Sequence, residues 1–329
     1  MKRRVRLEAV ALPIAWLIEF LIFGLTMPDT FLTFSNISSM LSSQAVLVVL
    51  ALGALAPLTV GDFDLSCGSV AGLSAMMVAV LNGEHQWNLL ASLLVALLVA
   101  LAVGALNVAL SVWIGVDTLI VTLGTGTLVA GVTAWISNQN TISGVSSGLV
   151  DNVIVNRWFN IPVVFYYGLI LAAIIGYVLV FTPIGRRALI VGQSRDVAQL
   201  SGIRVGYVRA GAMMTSALIS GLGGLLYVGI SGSASATGGA ELLLPAYAAA
   251  FLGATTITPG RFNAPGTLIA VYFLVTGITG LQLAGAENYV QSLFYGAALV
   301  AAVLAAVLAK KWRMKRNDRL AVRAVSDIG

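Results

Sequence analysis

Charged side chains are absent from most of this chain. Seven long stretches contain no Asp, Glu, Lys or Arg: 30–61, 86–116, 118–150, 158–185, 210–240, 262–286 and 288–309. Each is at least as long as the roughly 20 residues that a helix needs to cross a bilayer. Charged residues make up 9% of the chain, against roughly 25% in soluble domains. A soluble fold would therefore lack a charged surface, and we predict an integral membrane protein.

The apolar runs are helical rather than strand-like. Residues 89–114 are nearly unbroken Leu, Val and Ala, whereas the strands of a membrane β-barrel alternate apolar and polar residues. Backbone groups in lipid must be satisfied within their own segment, which a helix does. The 35 glycines suit closely approaching helices. We predict an all-α, polytopic transmembrane helix bundle.

The basic residues predict the topology. Sixteen of the 18 lie in three clusters, at residues 2–6, 186–209 and 310–323, and basic clusters favour the cytoplasmic side. Both termini are then cytoplasmic, which requires an even number of spans. We predict about ten spans in a single domain over residues 1–329, with cytoplasmic tails at 1–7 and 310–329 and a cytoplasmic segment at 183–209. The predicted spans are 9–27, 44–61, 66–82, 89–114, 119–136, 162–181, 210–230, 242–257, 264–284 and 287–308.

Several chemistries are disfavoured by what the chain lacks. The net charge of +5 would suggest nucleic acid in a soluble protein, but here the clusters are explained by topology and contact with membrane lipid. Cys67 and His85 are the only residues of their types, which argues against a disulfide, a metal site or a catalytic triad. No G-x-x-x-x-G-K-[ST] loop is present. We expect no enzyme activity and no cofactor in this chain, so energy must come from a partner or an ion gradient.

One polar motif interrupts the apolar sequence between the second and third predicted spans. Residues 61–69 read GDFDLSCGS and include Asp62, Phe63, Asp64 and Ser66. Irregular backbone within a membrane is tolerated only against protein or a water-filled cavity, and ionisable residues there are functional candidates. The alternative is that Asp64 or Ser66 only caps the next helix.

The cytoplasmic segment contains a predicted short amphipathic helix at residues 194–201, SRDVAQLS. Ser194 is the expected N-cap, Asp196 lies in the first turn where the helix dipole favours an anion, and Gly202 can end the helix. Val197 and Leu200 would share one face. The alternative is an ordinary basic loop.

Two isolated acids remain. Glu241 heads the eighth predicted span, where it could face a cavity or only complement the helix dipole. Glu19 lies inside the first predicted span, where a carboxylate is costly.

These motifs together resemble the ribose/galactose-type ABC permease family. The resemblance rests on five segments in the family's order: PDTFLTFSNISSML, ALG leading to GDFDLSCGSVAG, TLGTGTLVAGV, TPIGRRALIVGQSRDVAQLSGIRV and GAELLLPAYAAAFLGATT. It covers about residues 28–308. Val60, Phe63 and Pro259 depart from the family's pattern near the expected pathway and leave the solute open.

The resemblance implies a bacterial inner-membrane permease subunit that imports a sugar or sugar-like solute. Its expected partners are a separate ABC ATPase, which binds ATP and Mg²⁺, an extracytoplasmic solute-binding protein and a second permease copy, forming a homodimer. The residues expected along the substrate pathway are Asp62, Phe63, Asp64, Ser66 and Glu241. Those expected to couple to the ATPase are Arg186, Arg187, Ser194, Asp196, Val197, Leu200 and Gly202.

Two other classes stay open at this point. An ion-coupled secondary transporter of a small polar solute would use Glu19, Asp62 and Asp64 as carriers. A polytopic membrane enzyme would need a cluster of His, Asp or Ser residues near one membrane face, and the sequence contains no convincing one.

Overall fold

The structure of the protein is a computed structural model that describes residues 7–304. Helices account for most of this part of the chain. They are α1 Leu7–Thr26, α2 Pro28–Phe31, α3 Phe34–Ser43, α4 Ala45–Thr59, α5 Cys67–Val78, α6 Leu89–Val108, α7 Thr118–Ile136, α8 Ser147–Val150, α9 Val163–Phe181, α10 Pro183–Gln193, α11 Arg195–Leu200, α12 Val205–Ser231, α13 Leu243–Gly253, α14 Ala264–Leu283 and α15 Tyr289–Leu304.

The remaining elements are short. Wider π-helical turns follow α5, α6 and α8, at Ala79–Glu84, Ala109–Trp113 and Asp151–Val155, and a 3₁₀ turn, Ala240–Leu242, precedes α13. The strands within the described residues have two residues each: β1 Ile142–Ser143, β2 Arg157–Trp158, β3 Ile161–Pro162 and β4 Ser233–Ala234. They form two antiparallel pairs, β1 with β4 and β2 with β3.

The predicted all-α membrane bundle is confirmed. Eight helical segments within residues 7–304 are long and apolar enough to cross a membrane, and α3 and α4 together form one of them, Phe34–Thr59. Every one of the ten predicted spans contains a helix, but Ala240–Gly253 and Tyr289–Leu304 are shorter. The count of ten stays a prediction. The predicted cytoplasmic tail 310–329, and residues 1–6 of the N-terminal tail, lie outside the described residues.

Helix α4 lies at the centre of the bundle. Its sequence, AVLVVLALGALAPLT, is apolar on every side, and all but one of its residues are buried. It is enclosed by α9, α12, α13 and α14. A helix that is apolar all round has no face suited to water, so this sequence occupies the interior while the helices around it meet lipid.

Helix α6 is an outer helix with small residues on the face that packs on protein and leucines on the exposed face. Ala96, Ala100 and Gly104 recur every four residues and are buried, and this face packs on α12. Leu94 and Leu98, on other faces, are 53% and 64% exposed. Small residues let helix backbones approach closely, so the small-residue stripe marks the protein side and the leucines mark the lipid side.

The contact between α5 and α12 depends on Gly224. A Cβ atom built at Gly224 would overlap the carbonyl oxygen of Ala71 and lie 2.8 Å from Ser74 Cβ. We expect Gly224→Ala to lower the free energy of unfolding by about 1–3 kcal/mol, as overpacking does. Thermal unfolding of the purified protein in detergent measures this.

The matched control is Gly131→Ala in α7, where an added Cβ meets nothing within 4 Å. It removes a helical glycine without a clash and should be neutral or stabilising by up to about 1 kcal/mol. Equal unfolding temperatures for the two variants would contradict the close α5–α12 contact.

Candidate functional site

Residues 60–66, which we call the α4–α5 break, join the central helix to α5 without regular structure. Gly61 adopts φ +79°, a left-handed conformation that glycine accepts without strain, and this ends α4. The backbone N–H groups beyond it are taken up by side chains. Asp64 N–H donates to the Tyr247 hydroxyl at 2.9 Å, and Leu65 N–H donates to Thr122 Oγ1 at 3.0 Å. Helices α13 and α7 therefore hold the break in place.

A chain of buried side-chain hydrogen bonds continues from the break into α6 and α7. Ser66 Oγ donates to Asp64 Oδ1 at 2.5 Å, and Asn107 Nδ2 donates to Ser66 Oγ at 2.9 Å. Thr125 Oγ1 donates to Asn107 Oδ1 at 2.6 Å. All four residues are buried. Because a fully connected polar network specifies one arrangement of the elements that carry it, this one locks α5, α6 and α7 together.

Asp62 points the other way, toward the cytoplasmic segment, and is 1% exposed. Arg209 Nε donates to Asp62 Oδ2 at 2.7 Å and its Nη2 donates to Oδ1 at 3.1 Å, while Arg195 Nη2 donates to Oδ1 at 2.7 Å. Thr118 Oγ1 donates a longer bond of 3.4 Å. We call these four residues the Asp62 cluster. It joins the α4–α5 break to α7, α11 and α12.

Helix α11 has the ends that its sequence predicts. Ser194 Oγ accepts a hydrogen bond from Val197 N–H at 3.3 Å, Asp196 lies in the first turn, and Gly202 follows the helix with φ +77°. Ala198 is fully buried in a small apolar cluster with Val60 and neighbours. The opposite face is bare.

That bare face of α11 is apolar. Val197 is 55% exposed and Leu200 is 89% exposed, as the spacing of the two residues predicts. Arg186 and Arg187 on α10 are also exposed. The segment 183–209 therefore presents two apolar side chains on α11 and two cations on α10.

The five residues expected along a pathway do not form one group. Asp62, Asp64 and Ser66 are buried. Phe63 is half-buried and stacks on Tyr247 and Phe251, with ring centroids 6.4 Å apart in each case. These contacts hold the break against α13.

Glu241 lies apart from the break, at the start of the helix that carries Tyr247. Its side chain is exposed, and its Oε1 accepts a hydrogen bond from Thr237 Oγ1 at 3.1 Å. The two side chains form an exposed polar pair.

The helix that contains Glu241 is too short to cross a membrane by itself. Ala240–Gly253 is about 21 Å long at 1.5 Å per residue, which is less than the roughly 30 Å of the hydrocarbon core. Residues 235–239 before it are irregular, and Gly239 packs directly on Gly68 and Gly72 in the first turns of α5. Irregular backbone within a membrane must be covered by protein or face a water-filled cavity.

Some functional contacts are invisible in the sequence. Arg195 and Arg209 look like topological charges, yet they pair with an aspartate 133 and 147 residues away. Tyr247, Asn107 and Thr125 sit in apolar helices with no local motif. The only sequence signal for this pairing is Asp62 itself, because an acid between two apolar segments needs a cation from elsewhere in the chain.

The two arginines of the Asp62 cluster should contribute unequally. The Arg209 side chain is 14% exposed and that of Arg195 is 46% exposed. Losing the buried Asp62–Arg209 pair costs about 3 kcal/mol, because either Arg209 loses its carboxylate or Asp62 keeps only the half-exposed Arg195, whereas exposed pairs contribute at most about 1 kcal/mol. We therefore expect Asp62→Asn and Arg209→Gln to destabilise strongly, and Arg195→Gln weakly.

Chemical unfolding of the purified variants tests this order. Asp117→Asn is the control, since Asp117 caps α7 from an exposed position and asparagine caps equally well. If Arg195→Gln costs as much as Arg209→Gln, burial does not decide the strength of the cluster.

Comparison with known proteins identifies the family of this chain. The family model described as branched-chain amino acid transport system / permease component matches residues 36–303. The D-allose transport system permease protein AlsC of Escherichia coli K12 is 30% identical over 282 residues, which cover 86% of each chain. The autoinducer 2 import system permease protein LsrD of Photorhabdus laumondii is 29% identical over 327 residues, covering 94% of this chain and 96% of the relative. The LsrD protein of Salmonella typhimurium is 29% identical over 305 residues, 90% of each chain.

The matched region contains the α4–α5 break, the Asp62 cluster, α11 and Glu241. Such permeases are multi-pass proteins of the bacterial inner membrane that work with an ATPase and a solute-binding protein. They are transport subunits rather than enzymes. The chain therefore belongs to the family of permease components of ABC importers, as its motifs predict.

Proposed function

We propose that this chain forms half of a permease dimer, a homodimer, that imports a sugar or sugar-like solute, driven by ATPase subunits docked on α11. The observation that carries the proposal is the pair of exposed apolar side chains on a capped helix that is tied by the Asp62 cluster to the α4–α5 break. Relatives named for D-allose and autoinducer 2 transport support the class of solute.

The exposed face of α11 suits a protein partner. Val197 and Leu200 project from the cytoplasmic side, where apolar surface is covered most simply by another protein. Ser194, Asp196 and Gly202 define the ends of the helix, so the two side chains are held in one orientation. Arg186 can add charge complementarity at the rim. ATP and Mg²⁺ are bound by the ATPase in this proposal, and this chain supplies only the docking surface.

The Asp62 cluster gives that docking surface a route to the membrane spans. A partner that moves α11 also moves Arg195. Arg195 and Arg209 both donate to the carboxylate of Asp62, which is part of the α4–α5 break. The break is bonded to α13 through Tyr247. In this proposal Asp62, Asp64, Ser66 and Phe63 transmit the motion rather than contact the solute.

Glu241 and Thr237 are the proposed solute contacts. They are exposed where irregular backbone precedes α13, and irregular backbone within a membrane requires a water-filled cavity if protein does not cover it. A carboxylate and a hydroxyl can both bond sugar hydroxyls. A second copy of the chain would close this cavity from the other side, and the binding protein would release solute into it.

The ion-coupled alternative is less well supported. Asp62 is paired with two arginines, so its carboxylate is not free as a carrier. An uncoupler that abolishes transport in vesicles lacking the ATPase would favour the alternative.

Removing the apolar side chains of α11 should weaken binding of the ATPase subunit. We expect the double variant Val197→Ser/Leu200→Ser to insert and fold normally, to lose at least tenfold in ATPase co-purification, and to lose solute-stimulated ATP hydrolysis in proteoliposomes. The reason is that burying an exposed Val or Leu side chain against a partner contributes about 1.5–3 kcal/mol, and serine removes this contribution at both positions.

Gln199→Ser is the matched control. It lies on the same short helix and is exposed, but it leaves both apolar side chains in place, and it should keep at least half of the coupled activity. Normal coupling in the double variant would remove α11 as the docking helix.

Glu241 should matter for transport and not for docking. We expect Glu241→Ala to reduce uptake of the sugar at least tenfold, since a lost hydrogen bond to a charged group is worth about 1.5–3 kcal/mol, while ATPase co-purification stays unchanged. Glu84→Ala, near the end of the third span, is the control, and uptake in vesicles is the measurement. Unchanged uptake in Glu241→Ala would place the pathway elsewhere.

A further inference from the structure

Two cavities of opposite character adjoin at the cytoplasmic ends of α9, α10 and α12. The first, of about 420 Å³, is lined mainly by apolar residues, including Ile175, Val178 and Ala212. The second, of about 590 Å³, includes Arg204 and the loop at Ser201. Both are lined by Arg187, Tyr207 and Val208. We call the continuous space the α9–α12 groove.

The apolar part of the groove lies at the depth of the inner lipid leaflet. Ile175 is six residues before the end of α9 and Thr215 is ten residues after the start of α12. At 1.5 Å per residue these positions are about 9 and 15 Å from the cytoplasmic ends of their helices. One leaflet contributes about half of the roughly 30 Å hydrocarbon core. The cavity therefore has the depth of an acyl chain.

The polar end of the groove carries positive charge that the described part of the chain does not neutralise. The ion pairs found within residues 7–304 involve Arg195 and Arg209, and neither Arg187 nor Arg204 is among them. The Arg204 guanidinium lies 5.9 Å from the centre of the Tyr207 ring, and Tyr207 is 75% exposed. Tyrosine and arginine together are typical of the level of lipid headgroups.

We propose that the α9–α12 groove binds one anionic phospholipid of the inner leaflet. Its phosphate lies between Arg187 and Arg204, and an acyl chain fills the cavity along α9 and α12. The charge selects an anionic headgroup, and the apolar cavity selects a lipid over a free phosphate. The site goes beyond the transport function, and it assigns Arg187 to lipid, whereas the adjacent Arg186 lines neither cavity.

A bound lipid would also hold α10 against α12 beside α11. Gly211 in the groove shows the space available, because a Cβ built there meets nothing within 4 Å. A larger side chain at this position would enter the cavity without striking protein.

The test uses the full-length chain without its ATPase, so that its failure is separate from that of the proposed function. Native mass spectrometry measures retention of phosphatidylglycerol against phosphatidylcholine. We expect Arg187→Gln/Arg204→Gln to weaken retention of phosphatidylglycerol roughly 10- to 30-fold, at about fivefold for each arginine near a lipid surface. Arg186→Gln is the matched control and should retain the lipid.

Filling the apolar cavity gives an independent arm. Gly211→Leu should reduce lipid retention with both arginines intact, while Gly131→Leu, at an equally open helical glycine in α7, should not. Equal unfolding temperatures in lipid-free detergent show that the variants are folded.

Two results would overturn the proposal. One is phosphatidylglycerol retention in the double arginine variant equal to that in Arg186→Gln. The other is full retention of phosphatidylglycerol by Gly211→Leu, which would show that no acyl chain occupies the cavity along α9 and α12.

Discussion

A carboxylate with almost no exposure to water needs a cation beside it, because desolvation of an unpaired charge costs several kcal/mol. Asp62 meets this requirement with two arginines from a part of the chain that lies outside the central helices. The pairing brings α11 and the start of α12 against the end of α4. A residue just beyond the end of the most buried helix thus fixes residues 195–209 beside it, and Ala198 of that segment is buried against Val60 and its neighbours.

A second constraint acts on the backbone. In lipid every N–H and C=O group needs a partner within the protein, and the chain leaves helical geometry at the α4–α5 break and again before α13. At the break the partners are side chains, Tyr247 and Thr122. Before α13 the close contact of Gly239 with Gly72 brings backbone against backbone. Both irregular segments are therefore held by direct contacts with neighbouring helices.

The parts of the structure that could be predicted are those decided by neighbours in sequence. The helix at α11 and its ends follow from Ser194, Asp196 and Gly202, since capping acts within a few residues. The placement of Val197 and Leu200 on one face follows from helical spacing, whereas their exposure is seen only in the structure. Helix α4 begins at Ala45, next to the predicted residue 44, but the preceding helix α3 extends this membrane segment back to Phe34, which composition alone does not predict. Glu241 was found by its motif, but its exposure beside irregular backbone depends on the shortness of α13.

By itself the sequence determined that this chain is an all-α membrane protein. With so few charged residues its surface is suited to lipid rather than water, and within lipid a helix satisfies the backbone hydrogen bonds of these long apolar runs. It also determined the permease family through motifs in a fixed order. Only the tertiary structure decided what the polar residues do. Asp62 becomes an anchor because α11 and α12 bring arginines 133 and 147 residues away to within 2.7 Å. Arg187 comes to line an amphipathic groove and Arg186 does not, although both are exposed and adjacent, because the side chains of neighbouring helical residues point about 100° apart.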